Sequence, residues 1–197
     1  MKFLPRALCV ALVAMVAVLA FAPMASANWT GSGDSVLSAA TTSFTINGSA
    51  TTLTCTTANA SFVVPNPPSS SISTAAGSLK FNGCSVDAVP TPNAKVVVTS
   101  SGTPITVTAV AKKNATTWAV VITLPTVLIT LTVGGSSCTI TVPSNTSIGG
   151  SFSTDTHSLA IDNDFTVVVS GPPCSPTAGN YTATFTGIFT DKTLGLV

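Results

Sequence analysis

The stretch Tyr181-Thr182-Ala183-Thr184-Phe185-Thr186 alternates apolar and hydroxyl side chains at every step. Successive residues of an extended strand point to opposite faces, so Tyr181, Ala183 and Phe185 share one side and the three threonines the other. Gly187 follows, and a glycine inside such a run predicts a bulge that resets the register before Ile188 and Phe189. The same period of two recurs upstream. Ile105, Val107 and Ala109 alternate with Thr106 and Thr108, and Val127, Ile129, Leu131 and Val133 line up on one face. Leu53 with Cys55, Leu79 with Phe81, and Cys138 with Ile140 and Val142 repeat the pattern, which points the cysteines inward. No long stretch beyond the N-terminus carries helical spacing.

Turn signals punctuate these runs: Asn47-Gly48, Asn82-Gly83, Ser101-Gly102, Gly134-Gly135, Gly149-Gly150 and Gly171-Pro172-Pro173. Closely spaced strands with such breaks predict an all-β fold, a single antiparallel β-sandwich or barrel-like domain. Pro65 to Ser71 reads as an extended connector.

The first 27 residues have the order of an export signal. Lys2 and Arg6 give a basic start, Leu8 to about Ala22 is apolar, and Ala25-Ser26-Ala27 offers small residues for cleavage after Ala27. The apolar run is short of the ~20 residues needed to span a bilayer as a helix. The reading is a helical signal peptide over 1–27, one domain over 28–197, no transmembrane helix in the mature chain, and a secreted or cell-wall-associated location. Cys9 leaves with the signal.

Removing Lys2 and Arg6 from the seven Lys and Arg leaves five Lys against six Asp, a net charge near −1. The remainder has no Arg, no Glu and one His, while about a third of it is Ser or Thr. That balance provides no basic patch for nucleic acid. It is also a poor source of proton-transfer and metal-ligating groups, so no cofactor, metal or catalytic residue is assigned. Threonine suits the outer face of a strand, since its branched Cβ fits the pleat and its hydroxyl is solvated without charge.

Four cysteines remain: Cys55, Cys84, Cys138 and Cys174. An even number in an exported chain predicts two disulfides, with three connectivities open. Local pairing of Cys55 with Cys84 and Cys138 with Cys174 is favoured, each stapling a hairpin-like unit. The two halves repeat a strand, glycine and cysteine arrangement, which a tandem duplication would explain, as would two independent uses of one staple.

The succession Thr52-Leu-Thr-Cys55-Thr56, Ser78-Leu-Lys-Phe-Asn-Gly-Cys84, Cys138-Thr-Ile-Thr-Val142, Ser158-Leu-Ala-Ile161, Cys174 and Tyr181-Thr-Ala-Thr-Phe-Thr-Gly187 resembles a group of small secreted, Thr/Ser/Gly-rich proteins of actinobacteria. The resemblance implies an exported, disulfide-bonded β protein. It carries over no functional residue.

Few constellations remain that bear chemistry. His157 lies two residues after Asp155 among several serines, so a Ser/His/Asp hydrolase is conceivable, although no Gly-x-Ser-x-Gly elbow accompanies it. Asp162-Asn163-Asp164 offers oxygen ligands of the kind Ca²⁺ takes, but its first reading is a turn between two strands. Of the aromatic residues, Trp118 reads as core or edge packing, Tyr181 as core, and Trp29 as part of a frayed terminus. Trp118 to Val133, apolar on both faces around Pro125, predicts a hairpin buried on both sides; an exposed apolar surface for self-association, a partner or a membrane is the sharper reading.

The function expected from these residues is a structural, adhesive or binding role outside the cell, without catalysis, toward a cell-wall component or protein partner. A hydrolase using His157 and Asp155 and a membrane-active β protein are the alternatives.

Overall fold

A computed structural model describes residues 27–31, 33–48, 52–75, 77–87, 95–101, 103–133, 135–171 and 178–197, and every regular element among them is a strand. The expected signal peptide, residues 1–27, therefore lies outside the described residues apart from Ala27. In chain order the strands are β1 (Trp29–Thr30), β2 (Asp34–Ala39), β3 (Thr42–Ile46), β4 (Thr52–Val63), β5 (Ser71–Thr74), β6 (Lys80–Val86), β7 (Lys95–Ser100) and β8 (Thr106–Lys112). They continue as β9 (Thr117–Leu124), β10 (Val127–Val133), β11 (Ser136–Val142), β12 (Thr146–Ser153), β13 (Ser158–Ser170), β14 (Gly179–Thr190) and β15 (Gly195–Leu196).

Two long strands organise the rest. β13 and β14 pair in unbroken register from Ser158↔Thr190 to Val169↔Gly179, and β14 pairs in turn with β3, which pairs with β4. The outer edges of β4 and β13 are each shared by two partners. β4 holds β6 along 53–59 and β5 at 62–63, while β13 holds β12 along 158–161 and β11 along 168–170. The pairings β3-β4-β5-β8-β9-β12-β13-β14 return to their start, an eight-stranded antiparallel barrel, and at the end where β5, β8, β9 and β12 lie it is β2 that stands between β14 and β4. At the other end β11, β10 and β7 continue from β13 and return toward β6. There β6 and β7 lie near each other without a backbone ladder among the described residues.

The ring turns a corner at one shared place. Leu37 and Ala39 face inward on β2, and then Thr42, Phe44 and Ile46 do so on β3; on β4 the inward set changes from Leu53 and Cys55 to Ala58, Ala60 and Phe62. Ala40 and Thr41, which link β2 to β3, are both exposed, as are Thr56 and Thr57 on β4, while the pairing Thr42↔Cys55 and Ala39↔Ala58 stays in step. Two consecutive outward residues on each of two facing segments bend both together without losing the inward face. On β6, Gly83 adopts φ 59° beside Thr56, a left-handed conformation that glycine takes without a Cβ penalty. Next to this corner Cys55 and Cys84 stand directly opposite, Cα atoms 3.9 Å apart, and form a disulfide.

That bond joins neighbouring strands that are not consecutive, since β5 lies between them in the chain. Cys138, buried on β11, is also disulfide-bonded, and Cys174, its expected partner, is outside the described residues. Ile105, Val107, Val127, Ile129, Ile140, Val142 and Ala183 are all buried, as their alternation predicts.

Several local expectations are corrected. Asn82-Gly83 and Gly149-Gly150 are not turns but lie within β6 and β12. A Cβ on Gly150 would meet the Ala160 carbonyl at 3.0 Å and Val120 at 3.3 Å, so there the glycine serves close strand approach. Gly187 makes no bulge, because Ile161↔Gly187 keeps the register of its neighbours; the register shift among these strands is at Ala109/Ala111 on β8. Asp162-Asn163-Asp164 is mid-strand in β13, where alternation continues through it. β9 and β10 do not form a hairpin: β9 pairs with β8 and β12, β10 with β7 and β11, so Pro125-Thr126 carries the chain from one end to the other. Trp29 is not frayed but fully buried.

Converting Cys55 and Cys84 together to Ala is expected to lower stability by about 3.6 kcal/mol in the chain-entropy model for a 29-residue separation. Urea unfolding of the double variant against the oxidised protein measures it.

Candidate functional site

Three regions bear on function: the plug of the closed end, the interior, and an outer face of the sheet.

At the closed end β1 pairs with β15, placing Trp29 opposite Leu196. The indole packs edge-on against Phe152 with centroids 5.0 Å apart, donates from Nε1 to the Ser70 carbonyl at 3.1 Å, and takes its place beside the Pro65–Ser71 connector through the backbone bond from Trp29 N to Ser69 O. Leu194 is buried with it. The connector thus has a structural job.

His157 belongs to this plug. It sits in the turn from β12 to β13 with φ 47°, donates from Nδ1 to the Leu194 carbonyl at 2.8 Å, and accepts at its own carbonyl from Asp191 N–H at 3.0 Å. Nδ1 is where the orienting carboxylate of a hydrolase triad would bind, and here a main-chain oxygen holds it. Asp155 is exposed in the same turn, and Ser158 bonds to Thr156 at 2.6 Å. The geometry makes His157 a tie between that turn and the C-terminal segment.

Asp191 completes the tie. Burial pushes its carboxyl pKa upward, but the Thr193 hydroxyl, the Thr193 and Leu194 N–H groups and the Val36 N–H outweigh this and hold it below the ordinary 3.8. The Thr193 bonds are both 2.7 Å.

The interior holds a cavity of about 110 Å³ whose lining is apolar apart from Thr42 and Ser43. Its walls come from both ends of the molecule, with Val107, Ile122 and Ile148 from the closed ring and Val127, Ile129 and Val142 from β10 and β11. A space of that size exceeds the water-sized voids that a well-packed core usually leaves. Phe81, Phe185 and Phe189 form a chain of ring contacts at 6.4 Å each beside it. No local sequence pattern encodes a volume, so nothing in the alternation of residues announces this feature.

On the outer face of β13-β11-β10-β7, register places Val168, Thr141, Leu128 and Thr99 in one row and Ser170, Thr139, Thr130 and Val97 in the next. Both rows lack charge. Elsewhere facing hydroxyls bond to each other, as in Thr45–Thr52 at 3.2 Å, Ser71–Thr108 at 2.9 Å and Ser73–Thr106 at 3.3 Å. The expected hydroxyl surface is therefore partly knitted across strands.

The remaining candidates stay apart. Asp162 and Asp164 point outward from β13, with Thr184 donating to the Asp164 carboxylate and the Asn47 amide oxygen 3.0 Å from that hydroxyl. Among the described residues no three His, Cys or Asp side chains gather as metal ligands. Trp118 is buried on β9 under Lys112, whose Nζ lies 5.2 Å from the ring centroid, and Tyr181 is half-buried on the inward row of β14. In Trp118 to Val133 one face is buried while Leu128 on the other is exposed. No described helix is long and apolar enough to cross a membrane.

His157→Ala is expected to cost about 1 kcal/mol, read as a drop of a few degrees in Tm. Asp191→Asn tests the carboxylate. Because its folded-state pKa is depressed, its contribution is complete above about 3.8 and is lost as pH falls through the folded value. The Tm gap between wild type and Asp191→Asn should therefore be constant from pH 7 to 5 and shrink toward pH 2. Scans for matching family models, curated proteins and solved structures each found none.

Proposed function

We propose that this chain is an exported, non-enzymatic binding protein that adheres to a neutral polyhydroxyl polymer of a cell envelope through the outer face of β13-β11-β10-β7. The observation that carries this reading is the pair of registered, charge-free rows running across four strands. Valine and leucine methyls in such rows offer apolar contact to the C–H face of a sugar ring, and the intervening threonine hydroxyls both donate and accept. An arrangement repeated from strand to strand matches a repeating polymer better than a single small molecule. Low net charge makes the contact insensitive to salt.

The test is retention of the oxidised protein on insoluble envelope polysaccharide at low and high salt. Leu128→Lys and Thr130→Lys each place a charge in the face without touching the core, so affinity should fall at least tenfold while Tm moves little. Binding equal to wild type in both variants would overturn the reading. Loss of binding in 1 M salt would do so as well.

A further inference from the structure

We infer that the barrel interior is a binding site for a small uncharged apolar molecule, about the size of benzene or a short alkyl chain. The cavity measures about 110 Å³ and has no charged lining residue. Of its two hydroxyl residues only Thr42 belongs to the inward row of β3, so a water would find one hydroxyl where it needs two to four partners. A dry apolar void of about 150 Å³ in an engineered protein core takes up benzene, which sets the scale. The ligand class follows from those two facts: apolar because the walls are, and small because the space is.

The second observation is a route in. β6 and β7 share no backbone ladder among the described residues, whereas the closed end of the barrel is hydrogen-bonded strand to strand. Leu79, Phe81 and Val98 line the cavity at this seam and are only partly buried. The cavity reaches the side of the barrel where, among the described residues, no sheet hydrogen bond joins the two strands of the wall. Phe81 and Phe185, edge-to-face at 84°, stand beside that route and present ring surface to an apolar guest.

This site is independent of the outer face, since Leu128 and Thr130 do not line it. The experiment is benzene, with hexylammonium as the charged control, added to the oxidised protein. Two readouts are followed: thermal unfolding and methyl NMR. Saturating benzene is expected to raise Tm by about 3 °C and to shift the Ile122 and Ile129 methyl signals, with no such change from hexylammonium. Ala60→Leu and Val142→Phe fill the cavity from opposite walls. Each, once shown folded by circular dichroism, should lower benzene affinity at least tenfold, while Leu128→Lys binds benzene as wild type does. Absence of both the Tm rise and the methyl shifts at saturation would overturn the inference, and so would shifts confined to surface methyls. The wild-type methyl map decides the matter alone where a filled variant does not fold.

Discussion

An open strand edge exposes a row of N–H and C=O groups that will pair with whatever strand arrives, and proteins usually guard such edges with lysine or other charge. This chain has little charge to spend on the task, seven Lys and Arg and six Asp in all. Around the eight-stranded ring, closure supplies the protection instead. β13 and β14 provide twelve registered pairs, β3 and β4 continue the wall, and β5, β8, β9 and β12 return it to β13. Everything else in the fold follows from making that ring close. The double outward residues at Ala40-Thr41 and Thr56-Thr57 bend it, Gly83 accommodates the bend on β6, and Cys55–Cys84 fixes the two strands beside the corner.

The fold class is legible because alternation is a local property: Ile105 and Val107 are buried for the same reason that they alternate with threonine. Glycine is less legible. Asn82-Gly83 and Gly149-Gly150 look like turns in a sequence, yet they sit where another strand approaches too closely for a side chain, a fact that depends on Thr56, Ala160 and Val120 rather than on neighbours in the chain. Trp29 is hidden in the same way, since its cover is Leu194, Leu196 and Phe152, all far along the sequence. The corner leaves a trace only on β4, where Thr56-Thr57 breaks the apolar beat with two hydroxyl residues in succession. On the facing segment Ala40 follows another alanine, and its outward turn is recognisable only from the pairing of the strands around it.

The functional regions divide along the same line. His157 and Asp155 are visible as residue types, but the ring nitrogen that matters is engaged by Leu194, some forty residues later in the chain, and only the fold shows it. The outer rows are visible as threonine on alternate positions, while their alignment across β13, β11, β10 and β7 needs the register. The cavity has no sequence signal at all, because it is what the summed side-chain volumes of two groups of strands leave over.

Asn28 and Val197 exchange two backbone hydrogen bonds, at 2.9 and 3.1 Å, so the widest loop of the fold is closed by the two-residue ladder of β1 and β15. From Asn28 to Val197 the path of the chain is almost a circle. In a segment beginning at Asn28, a short bridge between those residues would let new ends be opened in another connection, with Trp29 keeping the joined segment seated. It also means that a tension applied between Asn28 and Val197 acts on the hydrogen bonds of β1 and β15 one at a time, from the same side of the ladder.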